Sequence, residues 1–261
     1  GQWGRGYSDL ALLIEDALND GVDVITTSSS YPDNYEGMRW ALARAIASKV
    51  PVVACVGNES TSNSTDWLPA WGGVVGVGAI ETNGRPSDYE NWGRPLSTAA
   101  LARPLARSGV SQQRGEWWGT SFAAPVVAGS LALSMQRWPN ATGNQIMQGL
   151  ARTGVGGNGG EWNQYTGYGA LDIYAMLTTN PTTFPDENPF MDKGTKTVPS
   201  RQDVQDYIDG VVDPRVVMND NSYEYLGYDE RLALSREHGY PTHLGTSPRF
   251  HASSASNAKK K

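Results

Sequence analysis

The hydrophobic period of this chain switches repeatedly between helical and extended, and that alternation limits the possible folds more than any other feature. Residues 8–21 place Leu10, Leu13, Ile14, Ala17 and Leu18 on one helical face, with Ser8 or Asp9 able to cap the start and Gly21 to stop the end. Residues 22–25 then read as a short buried strand. Residues 35–48 return to helical period, with Met38, Ala41, Leu42, Ala45 and Ile46 aligned, and Pro51 separates them from an apolar run at 52–56. A third strand is expected at 74–80. Helix, strand, helix, strand, strand in this order predicts an α/β fold built on a parallel sheet.

The remainder is less uniform. Pro86, Pro95 and Pro104 punctuate 81–115, which reads as short strands and loops. Residues 121–138 form the most apolar helix, apolar nearly all round and therefore expected to be buried. Another helix is expected at 142–152. The turn Gly167-Tyr168-Gly169-Ala170-Leu171 leads into a last short element. A proline-rich stretch follows Thr179, so one unit is expected at 1–179 and an extended, largely irregular tail at 180–261. Within that tail 200–210 and 229–237 read as short helices. Its polar, tyrosine-rich composition suits wrapping a surface or a partner, and 252–261 suits a disordered end.

Charge and composition exclude some functions. The formal net charge of −6 argues against a nucleic-acid partner. No apolar run approaches the roughly 18 residues that would cross a bilayer. Cys55 is the single cysteine, so no disulfide can form within the chain, and its apolar neighbours make it a small buried hydrophobe.

Two places carry chemistry. In Gly119-Thr120-Ser121-Phe122-Ala123-Ala124-Pro125 a serine opens the apolar helix among small residues. A helix start offers free N–H groups and partial positive charge to an oxyanion. Pro125 is expected to be tolerated because the first helical turn needs no N–H donors. The triplet Gly-Thr-Ser alone reads as a helix cap; the whole motif ahead of a buried helix reads as a nucleophile. The second place is Asn58, in Val56-Gly57-Asn58-Glu59 at the end of a strand. An amide there can donate to a tetrahedral oxyanion, or can make an ordinary Asx turn.

Together these residues resemble the subtilisin-like serine peptidases, the subtilases, over roughly 6–177. Gly119 to Pro125 is similar to the family's nucleophile motif and Gly57-Asn58-Glu59 to its oxyanion motif. The unit ending in Gly21-Val22-Asp23-Val24-Ile25 resembles the segment before its substrate-binding strand. Residues 167–172 resemble its closing Gly-x-Gly element. The resemblance implies Ser121 as nucleophile and Asn58 as oxyanion donor. It implies Thr27, Ser28, Ser29 and Ser30 as an edge pairing with extended substrate. Cys55, Val56 and Gly57 would line the pocket for the residue before the scissile bond, with Gly119 and Thr120 also against substrate. Two departures stand out: Ser28-Ser29-Ser30-Tyr31 replaces the usual Ser-Leu-Gly, and 96–105 lacks the usual Ala-Pro-Gly turn.

A serine hydroxyl needs a base, and the base needs a third group to orient it. In this family the order is Asp, His, Ser. The histidines are His238, His243 and His251, all in the tail, and none follows the family's pattern. Asp9 reads as a cap and Asp16 and Asp20 as a solvated helix face. Asp23 matches a family position outside the triad. The sheet also lacks the strands that would carry the missing residues. The expectation is therefore a companion polypeptide, from a precursor cut ahead of Gly1, that completes the fold and supplies Asp and His. The substrate would be a peptide or protein. The competing expectation is an inactive subtilase-fold binding or structural subunit. An α/β-hydrolase reading fails because Ala123 stands where Gly-x-Ser-x-Gly requires glycine. No cofactor is implied. Calcium often stabilises the family, but no ligand set is identifiable. The family implies an extracellular or cell-envelope location.

Overall fold

The period-3.6 segments form helices because each has an apolar face with a sheet to cover. In the computed structural model, which describes residues 9–29, 36–62, 67–107, 114–157, 160–194 and 198–211, α1 (Asp9–Asn19) and α2 (Glu36–Ala47) pack together on one side of a sheet. Ile14, Met38, Ala41 and Leu42 bury there with Val52, Ala54 and Val74. Glu15, buried between the helices, is neutralised by an ion pair with Arg44.

The sheet comprises β1 (Ile25–Thr27), β2 (Val52–Cys55), β3 (Val75–Ile80) and β4 (Thr98–Leu101), all parallel and in that spatial order. Thr27 stands opposite Ala54, Cys55 opposite Val77 and Ile80 opposite Leu101. Successive residues of β2 face opposite layers: Val52 and Ala54 meet α1 and α2, Val53 and Cys55 the other core. Burial on both faces explains why β2 is apolar throughout. β1 begins later than the expected 22–25, because its pairing starts where Ile25 N–H reaches Pro51 C=O.

The second layer is α3 (Thr120–Arg137), which lies across all four strands, with α4 (Gly143–Thr153) and α5 (Ile173–Thr178) beside it. Thr142 and Gln145 close a capping box at the start of α4, and Asp172 caps α5. β5 (Leu105–Arg107) and β6 (Arg114–Glu116) make a separate antiparallel pair leading into α3.

Residues 180–194 and 198–211, expected within an irregular tail, lie against this unit. Phe190 is buried in the core under α3, and Asn188 Nδ2 donates to Gly73 C=O at 2.9 Å. The buried Lys193 ammonium donates to Pro95 C=O at 3.0 Å and Ser97 Oγ at 2.7 Å. α6 (Arg201–Ile208), capped by Ser200, packs on α2 through the Asp203–Arg39 ion pair. The expected helix at 229–237 and the end at 252–261 lie outside the described residues.

Two expectations of burial are corrected. Asp16, read as part of a solvated helix face, is buried. α3 is not buried all round. Val126 is 40% and Leu133 49% exposed, and Pro125, Gly129, Ala132 and Gln136 lie on the same open side. The inner face covers the sheet, and none of the described residues covers the outer one. β1 also has a free edge among the described residues. A cleft of ≈590 Å³ is lined by Val22, Asp23, Lys49, Ala132, Met135 and Gln136 among others. No helix among the described residues is long and apolar enough to cross a membrane.

Candidate active site

Parallel strands deliver their C-terminal ends to one rim of the sheet, and the N-terminus of α3 meets that rim. At the end of β2 the buried Cys55 and Val56 lead into Gly57, whose φ of +100° lets the chain turn sharply. The turn puts Asn58, half-buried, beside the first residue of α3. Gly119, at φ +129°, turns the incoming chain into the helix, and its N–H donates to the Tyr89 hydroxyl at 3.2 Å.

Thr120, fully buried, joins the two segments. Its Oγ1 accepts from Gly57 N–H at 3.2 Å and lies 3.1 Å from Asn58 Oδ1. Its N–H donates to Asn58 Oδ1 at 2.9 Å. Asn58 thus caps α3 from a distant loop through its carbonyl oxygen, and its Nδ2 remains the donor available for a ligand. Ser121 is the next residue, half-buried at the second helical position. Its Oγ lies 3.9 Å from Cys55 Sγ, its sole hydrogen-bond partner among the described residues. The positive end of the α3 dipole faces the same rim.

β1 supplies the third side. Thr27 ends the strand, and its Oγ1 accepts from Ser29 N–H at 3.1 Å. Ser28 is exposed and donates through Oγ to the Ser121 carbonyl at 2.7 Å. This contact changes the reading of Pro125. It is the sixth residue of α3, beyond the turn that needs no donors, and its missing N–H is the one that would reach back to Ser121 C=O. Ser30 lies outside the described residues. The other expected site residues, Thr27, Ser28, Ser29, Cys55, Val56, Gly57, Asn58, Gly119, Thr120 and Ser121, come to this one rim.

The arrangement can present a hydroxyl and an amide donor to a carbonyl carbon and its oxygen. It holds no base: His238, His243 and His251 fall outside the described residues. Among the described residues no three His, Cys, Asp or Glu side chains group as a metal site.

Residues 3–169 match the family model described as "Subtilase family". The chain belongs to the subtilase family. Subtilisin DY of Bacillus licheniformis is 31% identical over 172 residues, which is 65% of this chain and 62% of that protein. Mycosin-1 of Mycolicibacterium smegmatis is 36% identical over 134 residues, 47% of this chain and 30% of that one. Among solved structures, a protease from Pseudoalteromonas arctica is 29% identical with a TM-score of 0.51, covering 60% of this chain and 50% of its own. The PatG macrocyclase in complex with peptide is 26% identical with a TM-score of 0.56, covering 65% and 55%. The chain spans about half the length of the curated relatives it matches, 44% to 62% of the subtilisins.

Reading the sequence missed the loop that braces this subtilase site. Tyr89 and Asn91 lie in the segment 81–115, which carries no period and was read as loops and short strands. The one available signal was polar and aromatic residues crowded into Ser87-Asp88-Tyr89-Glu90-Asn91-Trp92-Gly93.

Proposed function

We propose that this chain is the nucleophile-bearing part of a serine endopeptidase. Ser121 Oγ attacks the scissile peptide carbonyl and gives its proton to a histidine of a companion segment, which an aspartate of that segment orients. The oxyanion accepts hydrogen bonds from Asn58 Nδ2 and the Ser121 N–H. The histidine proton passes to the leaving amine, and water then hydrolyses the acyl-enzyme by the reverse proton path. Substrate pairs along Thr27, Ser28, Ser29 and Ser30. Its residue before the scissile bond lies against Cys55, Val56 and Gly57, beside Gly119 and Thr120. The observation that carries this reading is the tie between Asn58 Oδ1 and Thr120 N–H, which sets an amide donor beside the serine hydroxyl at a helix N-terminus.

The companion belongs on the open side of α3 and the free edge of β1. Those surfaces adjoin Ser121 and Ser28, and they expose apolar side chains that a water-filled site would leave unprotected. The folded unit is drawn to include α6, past the boundary at 179, because Phe190 and Lys193 are buried within it. A location outside the cytoplasm, extracellular or in the cell envelope, goes with this reading and rests on the family.

The test is to react native material with a fluorophosphonate and identify the labelled residue and every associated chain by mass spectrometry. Label on Ser121, with an associated segment carrying Asp and His, supports the peptidase. Absence of label, with no such segment, leaves the alternative of an inactive subtilase fold serving as a binding or structural subunit.

A further inference from the structure

The strongest unexplained feature near the site is a single buried asparagine that grips one turn from both sides. Asn91 is 4% exposed. Its Oδ1 accepts from Glu59 N–H at 3.1 Å and from Thr61 N–H at 3.0 Å. Its Nδ2 donates to Val56 C=O at 2.9 Å and to Glu59 Oε2 at 2.7 Å. Its own N–H donates to Gly57 C=O at 3.1 Å. Residues 56, 57, 59 and 61 are therefore all held by Asn91, and Asn58 lies between held neighbours on both sides. Glu59 Oε2, fixed by Asn91, in turn accepts from Asn58 N–H at 2.9 Å.

The same short loop reaches the other half of the site. Two residues earlier, the Tyr89 hydroxyl accepts from Gly119 N–H and the Tyr89 C=O from Ser60 N–H at 3.0 Å. One rigid segment thus holds both the turn bearing Asn58 and the residue that opens α3. Neither turn belongs to a strand or helix, so without this grip their relative position would depend on the contacts of Thr120 with Gly57 and Asn58. A donor aimed at an oxyanion is effective only when its position is fixed before the charge develops.

We propose that Asn91 is a positioning residue of the oxyanion site, fixing the 56–61 turn so that Asn58 presents its amide beside Ser121. The inference rests on the reading of Ser121 and Asn58 as nucleophile and oxyanion donor. Asn91 acts through Asn58 and does not touch substrate.

The test uses the assembled protein and the variants Asn91→Ala, Asn91→Asp, Asn58→Ala and the double variant Asn58→Ala/Asn91→Ala. Asn91→Asp keeps size and the acceptor for the Glu59 and Thr61 amides but sets a carboxyl against Val56 C=O and Glu59 Oε2, so it is made together with Glu59→Gln, whose amide can donate to that carboxyl, and the pair should fold if Asn91→Ala does not. Hydrogen exchange is read first. The expected result is exchange of the Thr120 and Asn58 amides faster by about tenfold or more, with the β3 amides unchanged. Unchanged Thr120 protection in a folded variant overturns the proposal, because the turn would then be braced without consequence for Asn58. Turnover is read second. The expected result is a fall in kcat with KM held, and no further fall when Asn91→Ala is added to Asn58→Ala. An equal loss in both backgrounds overturns it. If the parent protein shows no Ser121-dependent turnover, the peptidase reading falls, and hydrogen exchange still decides whether Asn91 positions Asn58.

Discussion

Ser28 Oγ donates to the carbonyl of Ser121, 93 residues later, at 2.7 Å. Pro125 has no N–H to offer that carbonyl, so the edge of the sheet supplies the donor that the helix cannot. The peptide unit that follows the candidate nucleophile is thereby tied to the strand proposed to bind substrate. Ser28→Ala is expected to slow fluorophosphonate labelling of Ser121 about fivefold, the equivalent of a lost hydrogen bond of ~1 kcal/mol. The cost should shrink in a Pro125→Ala background, where an alanine N–H can reach the same carbonyl. An equal cost in both backgrounds would show that Ser28 acts otherwise.

Asn58→Ala should lower kcat on the order of 10²–10³ while leaving KM nearly unchanged, a magnitude that comes from a subtilisin itself. The measurement is steady-state turnover of a peptide by the assembled protein. A loss confined to KM would place Asn58 in ground-state binding instead.

Gly57→Ala should be among the most damaging small substitutions. The backbone sits at φ +100°, and a methyl group would meet Asn91, Trp67 and Glu59 at once. Strain and overpacking together should cost about 2–5 kcal/mol. Gly84→Ala, at φ +80° with open space around it, isolates the backbone share and should cost about 1 kcal/mol. Urea midpoints of the two variants check the difference.

Glu90 gives stability a pH dependence. Burial raises its carboxyl to about 8, even though Oε2 accepts from Ala79 N–H at 2.6 Å, and Oε1 is buried without a partner among the described residues. The folded protein holds this proton between about 4.5 and 8 and the unfolded chain releases it. Stability from this group is therefore full below pH 4.5 and falls as pH rises to 8. Glu90→Gln should leave stability near pH 4.5 little changed. At pH 8 it should add on the order of a few kcal/mol, at ~1.36 kcal/mol per unit of displacement. Lys193, lowered to about 7 by burial, has the opposite sign: its penalty is full below pH 7 and is relieved as pH climbs toward 10.5. Urea unfolding across pH 4.5–10 separates the two slopes.

Val126→Asp and Leu133→Asp lie on the open side of α3, 40% and 49% exposed. Each should leave the helical circular dichroism of this chain unchanged while weakening capture of the proposed companion segment at least tenfold. Unaltered capture would move the companion to another surface.

Much of this fold was legible in local pattern, because strand and helix periods are written in neighbouring residues. The alternation at 8–56 specified α1, α2 and β2 and placed a strand between the helices, three residues earlier than β1 begins, and small residues around Ser121 marked a helix start that a ligand can approach. Asn58 was legible because an amide after a buried apolar run must lie at a strand end. Pattern alone set the wrong role for Pro125 and overstated the burial of α3, since both depend on what a distant segment does or does not place beside them.

The sequence by itself determined the parallel α/β order, the places of Asn58 and Ser121 at a strand end and a helix start, and the family. Tertiary structure decided what no period encodes: that Ser28 completes the Ser121 carbonyl, that Asn91 holds the turn around Asn58, and that Phe190 and Lys193 bring 180–194 into the core. Each of these is a contact between residues that are at least 30 positions apart in the chain. A hydrogen bond of that range leaves no periodic trace in either segment, because only the closed fold brings its donor and acceptor together.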